Sequence, residues 1–488
     1  MNKPIRTMSI FCMLLFAALL LNSTYLQYVD AGDLNSRGDN KRVRDAEFSR
    51  KRGAIVAGGA SVAQSNPIDD PYKYQRVYRQ PRKYAQLTGY FSYIYGRSAV
   101  ESSQNDILSG SDPRLFVNRI VDMVGNSKPK GGSVSLTVDP RAQTAAFEGM
   151  AALGRNVTGS VVALEPSTGK VLAMVSSPTY DPNLLASHRF SSVQRAYERL
   201  NGATNRPLVN RAIQEIYPPG STFKLVTAAA ALSSGQYTPD TEVKGGARLD
   251  LPQTSTDLVN ENGSDCGGER ITLTQALVVS CNVSFGDIGL RLGDDALRAQ
   301  AEKFGFDQTY LRDLGGQVKS RFPENPDEPQ TALSAIGQFD VAATPLQMAV
   351  VSAGIANGGT VMRPYVVDEV RGPDLSVLDK TSPEAFRSNA VSSSVARDLT
   401  QMMIEVVDQG TGTTAQIPGM KVAGKTGTAQ SSPERPPYAW FVSFAPADDP
   451  QVAVAVLVED AGVERDAISG SGLAAPIAKR VMEAVIRR

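Results

Sequence analysis

Histidine is almost missing from this chain: among 488 residues there is one, His188. A Ser-His-Asp hydrolase would rest on that single imidazole, so acid–base chemistry falls instead to lysine or a carboxylate. Cysteine is nearly as scarce, with Cys12, Cys266 and Cys281 only. Three thiols and one imidazole do not make up the clustered ligand sets of Cys/His zinc sites, and no metal site is expected. An excess of charge is absent too. Fifty Lys+Arg balance fifty Asp+Glu, which argues against a dedicated nucleic-acid binder. What remains is 42% hydrophobic and 20% charged residues, a composition that supports roughly two to four folded domains rather than disorder.

An apolar run opens the chain. Lys3 and Arg6 precede it, and from Met8 to Tyr28 it counts 21 residues, enough to cross a hydrocarbon core of about 30 Å. Positive charge before the run, with Asp30 and Asp33 after it, predicts residues 1–7 in the cytoplasm, 8–28 as a single-pass anchor in the cell membrane, and the rest outside. A cleaved export signal is the competing reading, but no A-x-A-like site follows the run closely. Export also bears on the thiols. Cys266 and Cys281, fifteen residues apart, are the only cysteines beyond the anchor. An oxidising compartment favours a disulfide between them, with two independent buried thiols as the alternative.

Residues 29–154 are basic, and their Tyr72–Tyr95 stretch is dense in tyrosine, arginine and lysine. Short interspersed apolar runs predict a strand-rich pedestal domain there rather than a stacking platform for bases. Ser133–Val138 alternates as a strand and Pro140 opens a helix. In 155–488, Ser160–Leu164 and Lys170–Val175 form a predicted hairpin. Helical patterns follow at Phe223–Leu232, Ala332–Ala356 and Ser394–Val407. Three strand-like runs, Lys421–Lys425, Ala439–Phe444 and Val452–Val458, then precede a final helix at Ala474–Ile486. Strands at both ends with helices between predict one α+β domain whose sheet joins its first and last segments. Pro323–Pro329 and Ser431–Pro437 read as loops.

Three short motifs carry the chemistry. In Tyr217-Pro218-Pro219-Gly220-Ser221-Thr222-Phe223-Lys224, two prolines and a glycine stop the preceding structure before a helix starts. Ser221 then sits at the first turn, where unpaired N–H groups favour developing negative charge. Lys224, three residues on, shares its face. A hydroxyl becomes a nucleophile when a neighbouring base takes its proton, and a lysine can do so if burial or another cation lowers its pKa. Ser280-Cys281-Asn282 supplies S-x-N, and Lys425-Thr426-Gly427-Thr428 supplies K-T-G-T. Each is weak alone; in this order they form the pattern of penicillin-recognising serine enzymes.

On these motifs, and on Val162–Ala173, Ala335–Gly359 and Val422–Gln430, the sequence resembles the class B penicillin-binding proteins, most of all the penicillin-binding protein A branch of actinobacteria. The resemblance spans most of 155–488 and, more loosely, the basic pedestal, which it makes dimerisation-like. It implies a serine β-lactamase-like transpeptidase domain with a central antiparallel sheet flanked by helices. The implied activity is a peptidoglycan D,D-transpeptidase that cross-links stem peptides and is a target of β-lactam antibiotics. Ser221 would attack the penultimate D-Ala carbonyl of a D-Ala-D-Ala stem, with Lys224 as general base. Ser280 would lie between Lys224 and Lys425 and relay a proton to the leaving amine, and Asn282 would hold the substrate amide and help position Lys224. Lys425 would supply positive potential, and Thr426 and Thr428 would bind the substrate carboxylate. Gly427 would let the strand lie close to the substrate, and the N–H groups of Ser221 and Thr428 would form the oxyanion hole. No metal or organic cofactor is implied. A SEDS-class glycosyltransferase is the implied membrane partner. Phe339, after Gly337-Gln338, and Tyr438, before Ala439-Trp440-Phe441, depart from the usual Gly and His. A D,D-carboxypeptidase and a non-catalytic β-lactam sensor are the alternatives.

Gly419–Thr426 also matches G-x-x-x-x-G-K-[ST]. A phosphate loop must open a helix, and the Gly, Ser and Pro residues after Lys425 exclude one. His188 is expected to be solvated, Trp440 to be core or cleft wall, and Glu459 and Asp460 to lie on the surface.

Overall fold

The computed structural model describes residues 3–30, 41–116, 130–154, 156–430 and 435–486. Asp33 of the anchor's acidic flank and residues 431–434 of the predicted 431–437 loop lie outside these. The apolar run forms a helix, Lys3–Thr24, continued by a wider turn at Tyr25–Val29. It is the one described helix long and apolar enough to span a membrane, and Phe11, Leu14, Phe16 and Leu20 stand exposed along it. Side chains this apolar, packed on no protein, fit a lipid environment.

The pedestal residues build a six-stranded sheet in the order Val377–Lys380, Val367–Arg371, Ser133–Leu136, Ile55–Ala57, Ala60–Pro67, Tyr74–Tyr78. Its first two strands come from far along the chain: Val367–Arg371 pairs antiparallel with Ser133–Leu136. Beneath the sheet, Glu101 is fully buried and accepts from Arg52 Nε and Arg76 Nε, each at 2.6 Å, and from Tyr78 Oη at 3.1 Å.

The second sheet comprises β1 (Thr158–Leu164), β2 (Val171–Ser177), β3 (Ala423–Ala429), β4 (Tyr438–Ala445) and β5 (Val452–Asp460). Its order is β3-β4-β5-β1-β2 and every pairing is antiparallel. The first and last segments of the α+β region thus meet in one sheet, as the sequence predicts. All of β4 is buried, because both faces are covered. Phe441, Val454 and Val456 pack with α1 (Pro140–Ala152) and the C-terminal helix Ala475–Ile486. Trp440, Val442 and Ala455 point the other way. There lie α2 (Lys224–Ser233), α3 (Asn282–Leu292), α4 (Glu328–Ala335) and α5 (Pro345–Ala356), with α5 directly against β1, β4 and β5.

Three expectations need correction. The helix predicted over Ala332–Ala356 is two helices, α4 and α5, because Gly337 and Phe339 adopt φ of 74° and 59° between them. Pro345 at the first turn of α5, capped by Thr344 Oγ1 accepting from Gln347 N at 3.0 Å, was the signal of the restart. His188 is not solvated. Its Nδ1 lies 2.5 Å from Asp70 Oδ2 and its ring packs edge-on against Tyr72, so its loop docks on the pedestal's aromatic cluster. Glu459 is not simply surface, because the end of β5 meets the segment before Ser221. It accepts from Arg211 Nε at 3.2 Å and Tyr217 Oη at 3.4 Å. Trp440 is core, fully buried, and its Nε1 donates to Pro218 O at 2.9 Å.

Candidate active site

Ser221 lies in a single 3-10 turn, Gly220–Phe223, that runs straight into α2. The turn is fixed from several sides. Tyr217 and Ala343 exchange backbone hydrogen bonds at 2.9 and 2.8 Å, and Gly220 N donates to Gly337 O at 3.0 Å. A Cβ on Gly337 would stand 2.2 Å from Gly220 O, so only glycine permits this approach. On the opposite side lies β3. A Cβ on Gly427 would stand 2.9 Å from Thr222 Cγ2 and 3.0 Å from Pro219 O. The close approach that Gly427 makes possible is therefore to the turn bearing Ser221, rather than to the open cleft.

The Ser280 hydroxyl lies between two buried ammonium groups. Ser280 follows the short helix Leu273–Val278 and takes a φ of 60°. Lys425 Nζ donates to Ser280 Oγ at 2.8 Å and to Thr426 O at 3.0 Å. Lys224 Nζ donates to Ser280 O and to Asn282 Oδ1, both at 2.7 Å, and lies 3.3 Å from Ser280 Oγ. Both lysines are fully buried. Burial pushes Lys224 well below the ordinary lysine range, the charge of Lys425 lowers it further, and Glu261 opposes both. Burial likewise pushes Lys425 down to about 7, against the pull of Glu261. An amine so displaced can accept a hydroxyl proton near neutral pH.

A cleft of about 900 Å3 opens in front of this group, walled by Ser221, Asn282, Gln338, Phe339 and Thr428. Thr426 is not among its walls. Its Oγ1 is 2.6 Å from Thr411 Oγ1 and the residue is buried, whereas Thr428, two residues on, lines the cleft.

Some contributors carry no motif. Asn260 is buried, and its Oδ1 accepts from the N–H groups of Asn282 (2.9 Å) and Val283 (3.0 Å) at the start of α3. Its Nδ2 donates to Gly246 O and Ser264 O at 2.8 and 2.7 Å. It thereby serves as a remote cap that fixes the S-x-N segment. Asparagine is a common cap, but nothing in the sequence ties this one to a helix that starts 22 residues later. Glu261, which opposes the lysine shifts, belongs to the same turn and gave no signal. Cys266 and Cys281 are joined by a disulfide across the same region, with Cα atoms 5.7 Å apart. The phosphate-loop match ends in β3, which holds its Gly424, Lys425 and Thr426, and the next described element is β4, not a helix.

A family model, the penicillin binding protein transpeptidase domain, matches residues 159–483. The chain belongs to that family. A second model, the penicillin binding protein A dimerisation domain, matches residues 52–134. The peptidoglycan D,D-transpeptidase PbpA of Mycolicibacterium smegmatis is 44% identical over all of this chain and 99% of its own length. The ceftriaxone acyl-enzyme complex of penicillin-binding protein A from M. tuberculosis superposes with a TM-score of 0.86 at 43% identity, covering 91% of this chain and 100% of that one. The penicillin G acyl-enzyme complex of that protein gives 0.84 at 44% identity, covering 89% and 99%. The resemblance read from the motifs to class B penicillin-binding proteins, and to their A branch, is thus borne out over the full chain.

Proposed function

We infer that the chain is a peptidoglycan D,D-transpeptidase, anchored by residues 8–28, with 29–154 as pedestal and 155–488 as catalytic domain, save that Pro140–Ala152 packs on the catalytic sheet and Val367–Arg371 and Val377–Lys380 complete the pedestal sheet. The observation that carries the reaction path is the shared Ser280 hydroxyl, reached by Lys425 and Lys224 beside the Ser221 cleft. Ser221 Oγ gives its proton to neutral Lys224 and attacks the penultimate D-Ala carbonyl of a donor stem. The oxyanion is held by the N–H groups of Ser221 and Thr428, an arrangement typically worth about 3–4 kcal/mol of barrier. The C–N bond to the terminal D-Ala then breaks, and the departing nitrogen takes the proton from Lys224 through Ser280. An amine of a second stem attacks the Ser221 ester, its proton returns by the same route, and Ser221 is released as the hydroxyl. Thr428 receives the donor's terminal carboxylate in the positive potential of Lys425, and Asn282 holds its amide. A β-lactam enters the same path and stops at the Ser221 ester.

Lys3 and Arg6 before the span support a cytoplasmic tail and an extracytoplasmic catalytic domain. The anchor and pedestal are the surfaces for a SEDS-class glycosyltransferase; undiminished recovery of that partner by a pedestal deletion in co-purification would count against this. The test of transfer is product analysis with a D-Ala-type peptide thioester, with and without an amine acceptor. Transpeptidation predicts an amide product that grows with acceptor. Hydrolysis alone would make the chain a carboxypeptidase, and an acyl-enzyme that turns over neither way would make it a sensor.

A further inference from the structure

Phe339 combines two features that cost stability and recover little by packing. Its φ of 59° lies where bulky side chains are rarely found, and 48% of its surface is exposed. Such a conformation persists only where the surroundings over-determine it, and it clusters at functional sites. Here the turn is held on both sides. Gln338 N donates to Leu333 O at 3.0 Å and Val341 N to Gln338 O at 3.4 Å. Gly337 O accepts from Gly220 N, one residue before Ser221, at 3.0 Å. The ring therefore stands in a fixed place relative to the nucleophile.

That place is a partition. Phe339 lines the Ser221 cleft beside Leu333 and Ile336. It also lines a second cavity of about 490 Å3, whose charged walls are Arg298 and Arg321 against Glu302, Asp307, Glu324 and Asp340. On one side the neighbours are apolar; on the other they are charged. Arg321 is paired with Asp340, and Arg298 donates to Pro323 O.

We propose that Phe339 is a specificity-determining residue: its ring is the apolar end wall of the acyl-donor cleft and closes that cleft off from the charged second cavity. An acyl donor with an apolar group at that end packs on the ring. A donor with an ionised group there must give up hydration against the ring, with no partner in return. Removing the ring joins the two cavities and puts the carboxylates of Glu302, Asp307 and Glu324 within the donor's reach, so a donor with a cationic group there gains a partner.

Benzylpenicillin and ampicillin differ by one α-amino group on the side chain, which is an ammonium in mildly acidic buffer, so the ratio of their acylation rate constants there isolates this effect. The measurement uses the full chain, as wild type, Phe339→Gly and Phe339→Leu. The wild type favours benzylpenicillin. Phe339→Gly lowers the benzylpenicillin-to-ampicillin ratio at least fivefold and melts no lower than the wild type, because glycine accepts a positive φ. Phe339→Leu, still apolar, keeps the ratio within twofold. A fall of less than fivefold in Phe339→Gly, or an equal fall in Phe339→Leu, would overturn the proposal. It rests on Ser221 as the acylated residue, yet the two fail separately: an adduct on another residue removes that assignment while the ratio remains readable.

Discussion

Lys425 holds the Ser280 hydroxyl at 2.8 Å although the two residues are 145 positions apart in the chain. With Lys224 Nζ 3.3 Å from the same oxygen, the hydroxyl bridges the two amines. Ser280→Ala removes it while leaving a small, easily accommodated cavity. The expected result is acylation by penicillin slowed about 100-fold, the lower range for loss of a proton-transfer group, with melting temperature nearly unchanged. Stopped-flow acylation with a fluorescent penicillin checks this.

The lysine shifts set a pH profile. A lysine with a lowered pKa is neutral above that value, so the competence of Lys224 as a base rises with pH. Lys425, at about 7, is charged below that value and neutral above it, so its attraction for the donor carboxylate declines as pH rises. The second-order acylation constant, which reports on the free enzyme, is expected to be bell-shaped with its falling limb near pH 7. Lys425→Arg carries a charge that does not titrate in this range and should remove the falling limb. A wild-type profile that climbs steadily to pH 10 contradicts the assignment.

The disulfide lies next to the relay. It closes a separation of 15 residues, and a loop of that size contributes roughly 3 kcal/mol on the chain-entropy model. Because Cys281 follows Ser280, whose φ is 60°, the double replacement Cys266→Ser with Cys281→Ser should lower both the melting temperature and the acylation rate. Calorimetry and the same acylation assay read the two effects together.

In the pedestal, Glu101 is buried between Arg52 and Arg76. Burial alone would raise its pKa, but the two guanidinium groups more than offset that and hold it below the usual range. A carboxylate lowered in this way contributes stability that is present at neutral pH and is lost as pH falls through its folded value. Glu101→Ala leaves buried Arg76 without its carboxylate and buried Arg52 with only Glu47, at 3.4 Å, and should cost about 3–5 kcal/mol at pH 7. That cost should shrink on acidification. Chemical denaturation followed by circular dichroism at pH 7 and at low pH checks both.

Local patterns were legible where one segment decides its own structure. β4 and β5 read as near-continuous apolar runs because both faces are covered, and Pro218–Gly220 announced the turn that presents Ser221. What stayed hidden depends on contacts between distant segments. No periodicity in Val367–Arg371 says that it will pair with Ser133–Leu136. The apolar pattern from Ala332 to Ala356 concealed a break that exists so that Gly337 can touch Gly220. His188 looked solvated because its partner, Asp70, is 118 positions away. Asn260 was hidden for the same reason, and the side-chain partner of Thr426, Thr411, lies in a segment with no motif of its own.

Every step proposed for the reaction runs through an acyl group on Ser221. Tryptic mass spectrometry after incubation of the full chain with a labelled penicillin tests it most directly. The predicted result is a covalent adduct on the peptide of residues 212–224, which contains Ser221, absent in Ser221→Ala. An unmodified 212–224 peptide at saturating drug, or an adduct elsewhere on the chain, would contradict it.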